Sequence, residues 1–186
     1  TLTAELVTRG TPTHTANALA DQMDFLGASA SIRAERETVG ITAQMLTEHF
    51  DTVLDHLSDC LQNATFPAEE VTKALGQLKA RLAREAEDPK SRAQQELFAR
   101  LFPPDHPLHR NPTGQLEDLA AIGRDDVIRF HQSFYRPDRT VLVVVGDLSP
   151  DQAIAAVERG FGRWKPLGAA PTPRPSMPPE PATVRR

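Results

Sequence analysis

Helical spacing of the apolar residues is the feature that most restricts how this chain folds. After Thr47, a candidate N-cap, apolar residues recur every three or four positions as far as Leu61, which predicts one buried helix face. Similar spacing, or residues that favour helix starts and stops, predicts further helices near residues 1–7, 16–26, 67–86, 90–101, 116–121, 125–135 and 149–161. Most of the chain is therefore expected to be helical.

Three short segments favour strands instead. Residues 29–36 and 38–45 flank Glu37, and the second segment alternates apolar residues toward one face, which predicts a hairpin. Residues 141–145, the valine segment, form an uncharged apolar run typical of a strand buried on both faces. The expected class is α+β, with a layer of helices against a mostly antiparallel sheet.

Proline divides the chain into two parts. Seven of the 21 residues from Pro166 to Arg186 are proline, and almost none has a large apolar side chain, so this part is expected to be an extended linker. Residues 1–165 are expected to form one α+β domain. The chain starts at Thr1 without a methionine, and we expect it to be a piece of a longer protein.

Composition and charge disfavour several classes of function. With 39% hydrophobic and 25% charged residues, the sequence is typical of a globular domain. A net charge of −4 without a basic stripe disfavours nucleic-acid binding. Cys60 is the single cysteine, so no internal disulfide forms, and no apolar run approaches the length of about 18 residues that a membrane span needs.

Short motifs occur in a recognisable order along residues 1–165. They are Arg9-Gly10-Thr11, Asn63-Ala64-Thr65-Phe66-Pro67, Asp105-His106-Pro107-Leu108, Phe134-Tyr135-Arg136-Pro137 and Phe161-Gly162-Arg163-Trp164. Their order and spacing resemble the pitrilysin/insulinase family of zinc metallopeptidases, which includes the mitochondrial processing peptidases and bacterial zinc proteases. The resemblance implies one half of a clamshell lobe.

Active members of that family carry H-x-x-E-H just before the Gly-Thr motif and a third ligand, a glutamate, about 76 residues beyond the second histidine. Aligned on Gly10-Thr11, the two histidine positions hold Thr1 and Glu5, the general-base position holds Ala4, and the glutamate position holds Arg81. No histidine lies in residues 1–13, so a shifted alignment does not restore the motif. The sequence therefore predicts no catalytic residue and no metal or cofactor site in this chain.

Opposite charges at two of these positions suggest a replacement for the metal. Glu5 and Arg81 stand where two ligands of one ion would meet. We predict that they form an ion pair bridging their two helices, against the alternative that both are simply exposed.

The resemblance also implies partners. Family members pair a catalytic lobe with a related metal-free lobe, and Asp88-Pro89 and Thr8 look more like the metal-free one. A catalytic lobe or sister subunit would then hold zinc and cleave an unfolded peptide, while this chain shapes the chamber; a dimer is one arrangement of such a pair. Many bacterial relatives are exported, which suggests the periplasm or cell envelope, with the cytoplasm as an alternative.

Other interpretations stay open. His56 and Cys60 are four residues apart on one predicted helix, and His106 and His109 share a loop, so either pair could supply two metal ligands. His14 and His131 are expected at the surface or at caps, and Glu85, Glu87 and Asp88 at a solvated helix end. A scaffold subunit in a larger complex is the main alternative function, and a hydrolase with an unrecognised site is a weaker one.

Overall fold

Seven α-helices and one hairpin make up the fold of residues 1–168, the part that the computed structural model describes. The helices are α1 (Leu2–Leu6), α2 (Ala16–Phe25), α3 (Phe50–Asn63), α4 (Ala68–Glu87), α5 (Pro89–Leu101), α6 (Arg124–Phe134) and α7 (Pro150–Phe161). Short 3₁₀ turns lie at Thr47–His49, Pro107–His109, Asp118–Ala121 and Pro137–Arg139. Helical spacing in the sequence therefore predicts these elements correctly, although residues 116–121 form only a 3₁₀ turn.

The hairpin consists of β1 (Ser29–Ala34) and β2 (Val39–Gln44). The strands are antiparallel, with Ser29 opposite Gln44 and Ile32 opposite Ile41. This is the only sheet within residues 1–168, so the α+β class is confirmed but the sheet there is much smaller than expected.

One core cluster joins α1, α4 and α6. Its buried members are Leu2, Leu6, Phe66, Val71, Ala74, Leu78 and Val127. Leu6 is fully buried and Leu78 is 2% exposed, so this cluster fixes α1 against α4. These are the two helices on which the candidate site depends.

A second cluster lies between α3 and α7. Phe50, Leu54 and Ala156 form its buried centre. Met45, which follows β2, and Val144 of the valine segment both pack against that centre. The hairpin and the valine segment thus rest on the same pair of helices.

Helix ends follow the sequence signals in most places. The Thr15 hydroxyl accepts the Ala18 N–H at 3.2 Å, and Gly27 adopts a left-handed φ of 58° after α2. Ser149 forms a capping box with Gln152 at the start of α7. The expected cap at Thr47 is wrong: a 3₁₀ turn over Thr47–His49 precedes α3, and neither end of that turn has a side-chain cap.

The valine segment is the main error of the sequence analysis, because it is neither a strand nor buried. Val141, Val143 and Val145 are 88%, 76% and 92% exposed, and the segment pairs with no strand among the described residues. A preference for β structure reflects how side chains pack, and it does not supply the second strand that a sheet requires. The expected linker lies almost wholly in residues 169–186, outside the described part of the chain.

Candidate functional site

Glu5 and Arg81 meet between α1 and α4. Arg81 Nη1 lies 2.7 Å from Glu5 Oε1, and the two side chains are 40% and 26% exposed. The ion pair predicted from the sequence is therefore present. It forms because the apolar cluster around Leu6 and Leu78 holds the two helices side by side.

The other two positions carry no catalytic chemistry. Ala4 is 2% exposed and has no group that could take a proton. Thr1 Oγ1 donates a hydrogen bond to the carbonyl oxygen of Pro112 at 2.6 Å, which ties the start of α1 to a loop.

These residues do not fit a zinc ion. Zinc binds three protein ligands in catalytic sites, and here only Glu5 offers a ligand atom of a suitable type and charge, while the Arg81 guanidinium already neutralises it. Among residues 1–168, no three histidine, cysteine, aspartate or glutamate side chains come together in a way that could hold a metal. We therefore derive no chemical step through a metal in this chain.

A groove of about 510 Å³ opens beside the ion pair. It is bounded by Leu6 of α1, Gln77 of α4 and the β1 residues Ala30 and Ile32. Charged side chains around it are Glu5, Arg9, Glu70, Lys73 and Arg81. Lys73 is held by Glu69 at 2.8 Å and Glu70 at 3.1 Å. The groove thus combines a strand with a charged helix face.

The Arg9-Gly10-Thr11 motif lies next to this groove, where Gly10 forms an isolated antiparallel bridge with Thr15. Gly10 has a φ of 147°, and a Cβ there would lie 3.2 Å from Pro67 Cγ and 3.3 Å from Thr65 Oγ1. Its carbonyl accepts the Thr65 N–H at 3.0 Å. Only glycine can adopt this positive φ and leave room for Pro67 and Thr65 without strain. This explains why the motif occurs together with the Asn63–Pro67 motif.

His56 and Cys60 share a face of α3, but within residues 1–168 no third side chain joins them in a group that could hold a metal. The His56 ring faces the His14 ring edge-on, with the ring centres 5.4 Å apart. Burial lowers the pKa of His56, and the neighbouring His14 lowers it further. Burial raises the pKa of the Cys60 thiol to about 11, so it stays protonated at neutral pH.

His106 and His109 are both engaged locally. Leu108 donates its N–H to His106 Nδ1 at 3.1 Å, and the His106 ring stacks on Phe102 at 4.7 Å. His109 Nδ1 lies 2.8 Å from the carbonyl oxygen of Phe102. The two rings therefore shape the loop after α5 and do not converge on one ion.

His131 was expected at the surface or at a cap, and this expectation is wrong. It is 8% exposed, its Nε2 donates to the Leu61 carbonyl at 2.9 Å, and its ring packs against Phe66 and Tyr135. It lies four residues after Val127, on the buried face of α6. Burial lowers its pKa, so the ring is neutral at neutral pH.

Three arginines hold loops by donating to carbonyl oxygens, and of these only Arg136 belongs to one of the sequence motifs. Arg124 binds Phe66 and Thr65, Arg36 binds Leu108 and Arg110, and Arg136 binds Leu167 and Gly168. Arg136 is 4% exposed and also pairs with Asp138 at 3.0 Å. No sequence pattern distinguishes Arg36 and Arg124 from solvated arginines, because their acceptors are carbonyl groups distant in sequence.

Comparison with known proteins agrees with these observations. The family model described as "Insulinase (Peptidase family M16)" matches residues 2–107, and the model described as "Peptidase M16 inactive domain" matches residues 121–186. An uncharacterized zinc protease of Bacillus subtilis, YmxG, is 28% identical over 162 residues, which cover 87% of this chain and 39% of that protein. The chain spans 38 to 39% of the length of the first curated relatives it matches.

Solved structures share the fold. A peptidase M16 inactive domain from Pseudomonas fluorescens superposes with a TM-score of 0.86 at 23% identity, over 96% of this chain and 43% of that one. The first half of the periplasmic protease PqqL from Escherichia coli gives a TM-score of 0.79 at 22% identity, over 95% of this chain and 39% of that one. The family resemblance read from the sequence is thereby confirmed, and the chain belongs to the insulinase family of peptidases, peptidase family M16.

Proposed function

We propose that this chain is a non-catalytic half-lobe that lines the peptide chamber of a zinc endopeptidase. The observation that carries the proposal is the Glu5–Arg81 ion pair at 2.7 Å, because it fills two of the positions where active relatives would bind zinc. Cleavage is assigned to a partner lobe, in the same polypeptide or a sister subunit, that carries H-x-x-E-H and its zinc.

The groove beside the ion pair is the proposed peptide contact. Within residues 1–168, β1 pairs only with β2, so its other edge has main-chain groups that an extended peptide could bind. Arg9 is exposed at the same groove and adds a positive charge. An extended peptide with an acidic side chain or a terminal carboxylate matches these features.

Residues 166–186 are proposed to link this half to a second half of the same lobe. PqqL supports a larger assembly, since this chain covers 39% of its first half and 20% of the whole protein. PqqL is described as periplasmic, which supports the periplasm or cell envelope as the location here. In residues 1–168, no helix has both the length and the apolar character that a bilayer crossing requires.

A peptide titration followed by NMR tests the peptide contact. With the chain labelled with nitrogen-15, an unlabelled, unstructured 20-residue peptide rich in acidic residues should shift the amide signals of Ala30, Ile32 and Arg81, and mass spectrometry should detect no cleavage. Ile32→Glu, which places in the groove a negative charge that repels an acidic peptide, should abolish the shifts. Arg33→Lys, on the opposite face of β1, is the matched control and should preserve them. Saturating peptide without any shift at β1 would favour the scaffold alternative instead.

A further inference from the structure

Side chains attach residues 11–15, the 11–15 loop, to α3. The Thr13 hydroxyl donates a hydrogen bond to Asp59 Oδ2 at 3.0 Å and lies 2.9 Å from His14 Nδ1. Because a hydroxyl carries only one proton, His14 donates its Nδ1–H to the Thr13 oxygen. Nε2 is then the nitrogen of His14 that takes up a proton when the solution becomes acidic.

The His14 ring also packs against His56 of α3. The two rings meet edge to face, with their planes at 83° and their centres 5.4 Å apart, and both residues are half-buried. Two neutral rings tolerate this contact, and a single imidazolium can point its positive edge at the face of the other ring. Two imidazolium rings at this distance repel each other, so the second proton weakens the contact.

The carboxylates of α3 that face His56 are already engaged. Asp55 and Asp59 favour a charged His56, but their effect is smaller than the lowering of its pKa by burial and by the neighbouring histidine. Asp55 lies 3.6 Å from Arg159 of α7. Asp59 accepts the threonine hydroxyl of the loop at 3.0 Å and the Asn63 amide at 2.8 Å.

The carboxylates of α4 that face the loop are paired as well. Glu69 and Glu70 line a cleft of about 460 Å³ together with the 11–15 loop. Both bind Lys73, at 2.8 and 3.1 Å. None of these four carboxylates is therefore available to neutralise a second imidazolium without giving up a partner.

We propose that the contact between His14 and His56 is an acid-sensitive attachment, which holds the 11–15 loop on α3 at neutral pH and loosens it as the pH falls towards about 5. Arg9 and Ala16, on either side of the loop, line the groove assigned to the peptide. Loosening the loop would therefore change the shape of that groove. This consequence for the peptide rests on the proposed function, whereas the loosening itself does not.

Hydrogen exchange measured by NMR tests the attachment. The amides of Thr11, Thr13 and His14 each donate a hydrogen bond within the loop. After correction for the intrinsic rate at each pH, these amides should exchange at least about tenfold faster at about pH 5 than at about pH 7.5, while the Leu78 amide in α4 stays protected. Unchanged exchange in the loop would overturn the proposal. Equal acceleration at Leu78 would assign the change to global unfolding and also overturn it.

Histidine variants provide a matched comparison. His14→Gln and His56→Gln each leave a single ring that can become charged, so the acceleration of loop exchange at about pH 5 should fall to within about twofold. His49→Gln is the control, because His49 lies beside Glu48 at the start of α3, and it should keep the full acceleration. Acceleration in both pair variants equal to that of the parent would contradict the attachment. No peptide is present in these measurements, so the attachment and the proposed function can fail separately.

Discussion

Single residues decide whether this fold can hold a metal, and the Glu5–Arg81 pair is the clearest case. Because both side chains are partly exposed, the pair should behave as a surface ion pair, with a coupling energy of about 0.5 to 1 kcal/mol. A double-mutant cycle on Glu5→Ala and Arg81→Ala, by urea unfolding at low salt, measures this coupling. It should weaken at high salt.

The matched control for that cycle is the pair Glu96 and Arg100 on α5. Its atoms lie 3.4 Å apart and its side chains are 69% and 82% exposed, so its coupling should be close to zero. Equal coupling in the two pairs, or none between Glu5 and Arg81, would show that the site pair does not bridge α1 and α4.

Gly10 supports a second prediction for a single residue. Gly10→Ala should lower the free energy of unfolding by about 1 to 3 kcal/mol, because its φ of 147° strains any side chain and the new Cβ would crowd Pro67 and Thr65. Gly40→Ala is the control: Gly40 has no atom within 4 Å of a Cβ and lacks a positive φ, so its effect should stay within about 0.5 kcal/mol. Chemical denaturation measures the free energy of unfolding of both variants. A similar decrease in the two would refute the special role of the Gly10 backbone conformation.

The sequence predicts residue roles where the determining neighbours are local, or where the spacing of the family motifs identifies a distant partner. Gly27 as a helix stop, Ser149 as a cap and the pairing of Glu5 with Arg81 follow from sequence signals or from family spacing. The burial of His131 and Arg136 does not follow from such signals, because their partners, Leu61 and Leu167, are 70 and 31 residues away. The charge and polarity of a side chain do not reveal such partners.

At the level of elements, His131 joins α6 to the last turn of α3. Burial lowers its pKa in the folded chain, so the unfolded chain binds more protons below its ordinary pKa of about 6.5. Stability should therefore fall as the pH drops below that value. The lowered pKa of His56, also caused mainly by burial, adds to the same trend.

His131→Gln isolates this contribution. The glutamine amide can still donate to the Leu61 carbonyl but takes up no proton in this range. The variant should reduce the slope of unfolding free energy against pH by up to about 1.4 kcal/mol per pH unit between pH 6.5 and 5. Urea unfolding at several pH values provides the slope, and a slope identical to that of the parent would rule out the buried neutral histidine.

The helices and the hairpin could be predicted because each carries its apolar pattern or its start signal within its own residues. Helices α2 to α7 each carry an apolar stripe or a start signal, and the hairpin alternates over its own length. The valine segment has the composition of a buried strand, but a strand also depends on a neighbour that its own sequence does not specify. The 3₁₀ turn before α3 was not predicted, because a threonine such as Thr47 favours both helix caps and turns.

At the scale of the whole molecule, the fold is that of a peptidase lobe whose two central helices are held by apolar packing and an ion pair. The Leu6, Phe66 and Leu78 cluster positions α1 against α4 by apolar contact. This packing explains how the chain matches the shape of related protease structures although Glu5 and Arg81 form an ion pair between the two helices.

Zinc content measured together with peptide cleavage tests that account most directly. The chain should be purified without a chelator or histidine tag, analysed by elemental mass spectrometry, and assayed on the same sample against an unfolded peptide. The account predicts far less than one zinc per chain and no cleavage. Near-stoichiometric zinc would contradict it, and would direct the search for ligands to His56, Cys60, His106 and His109.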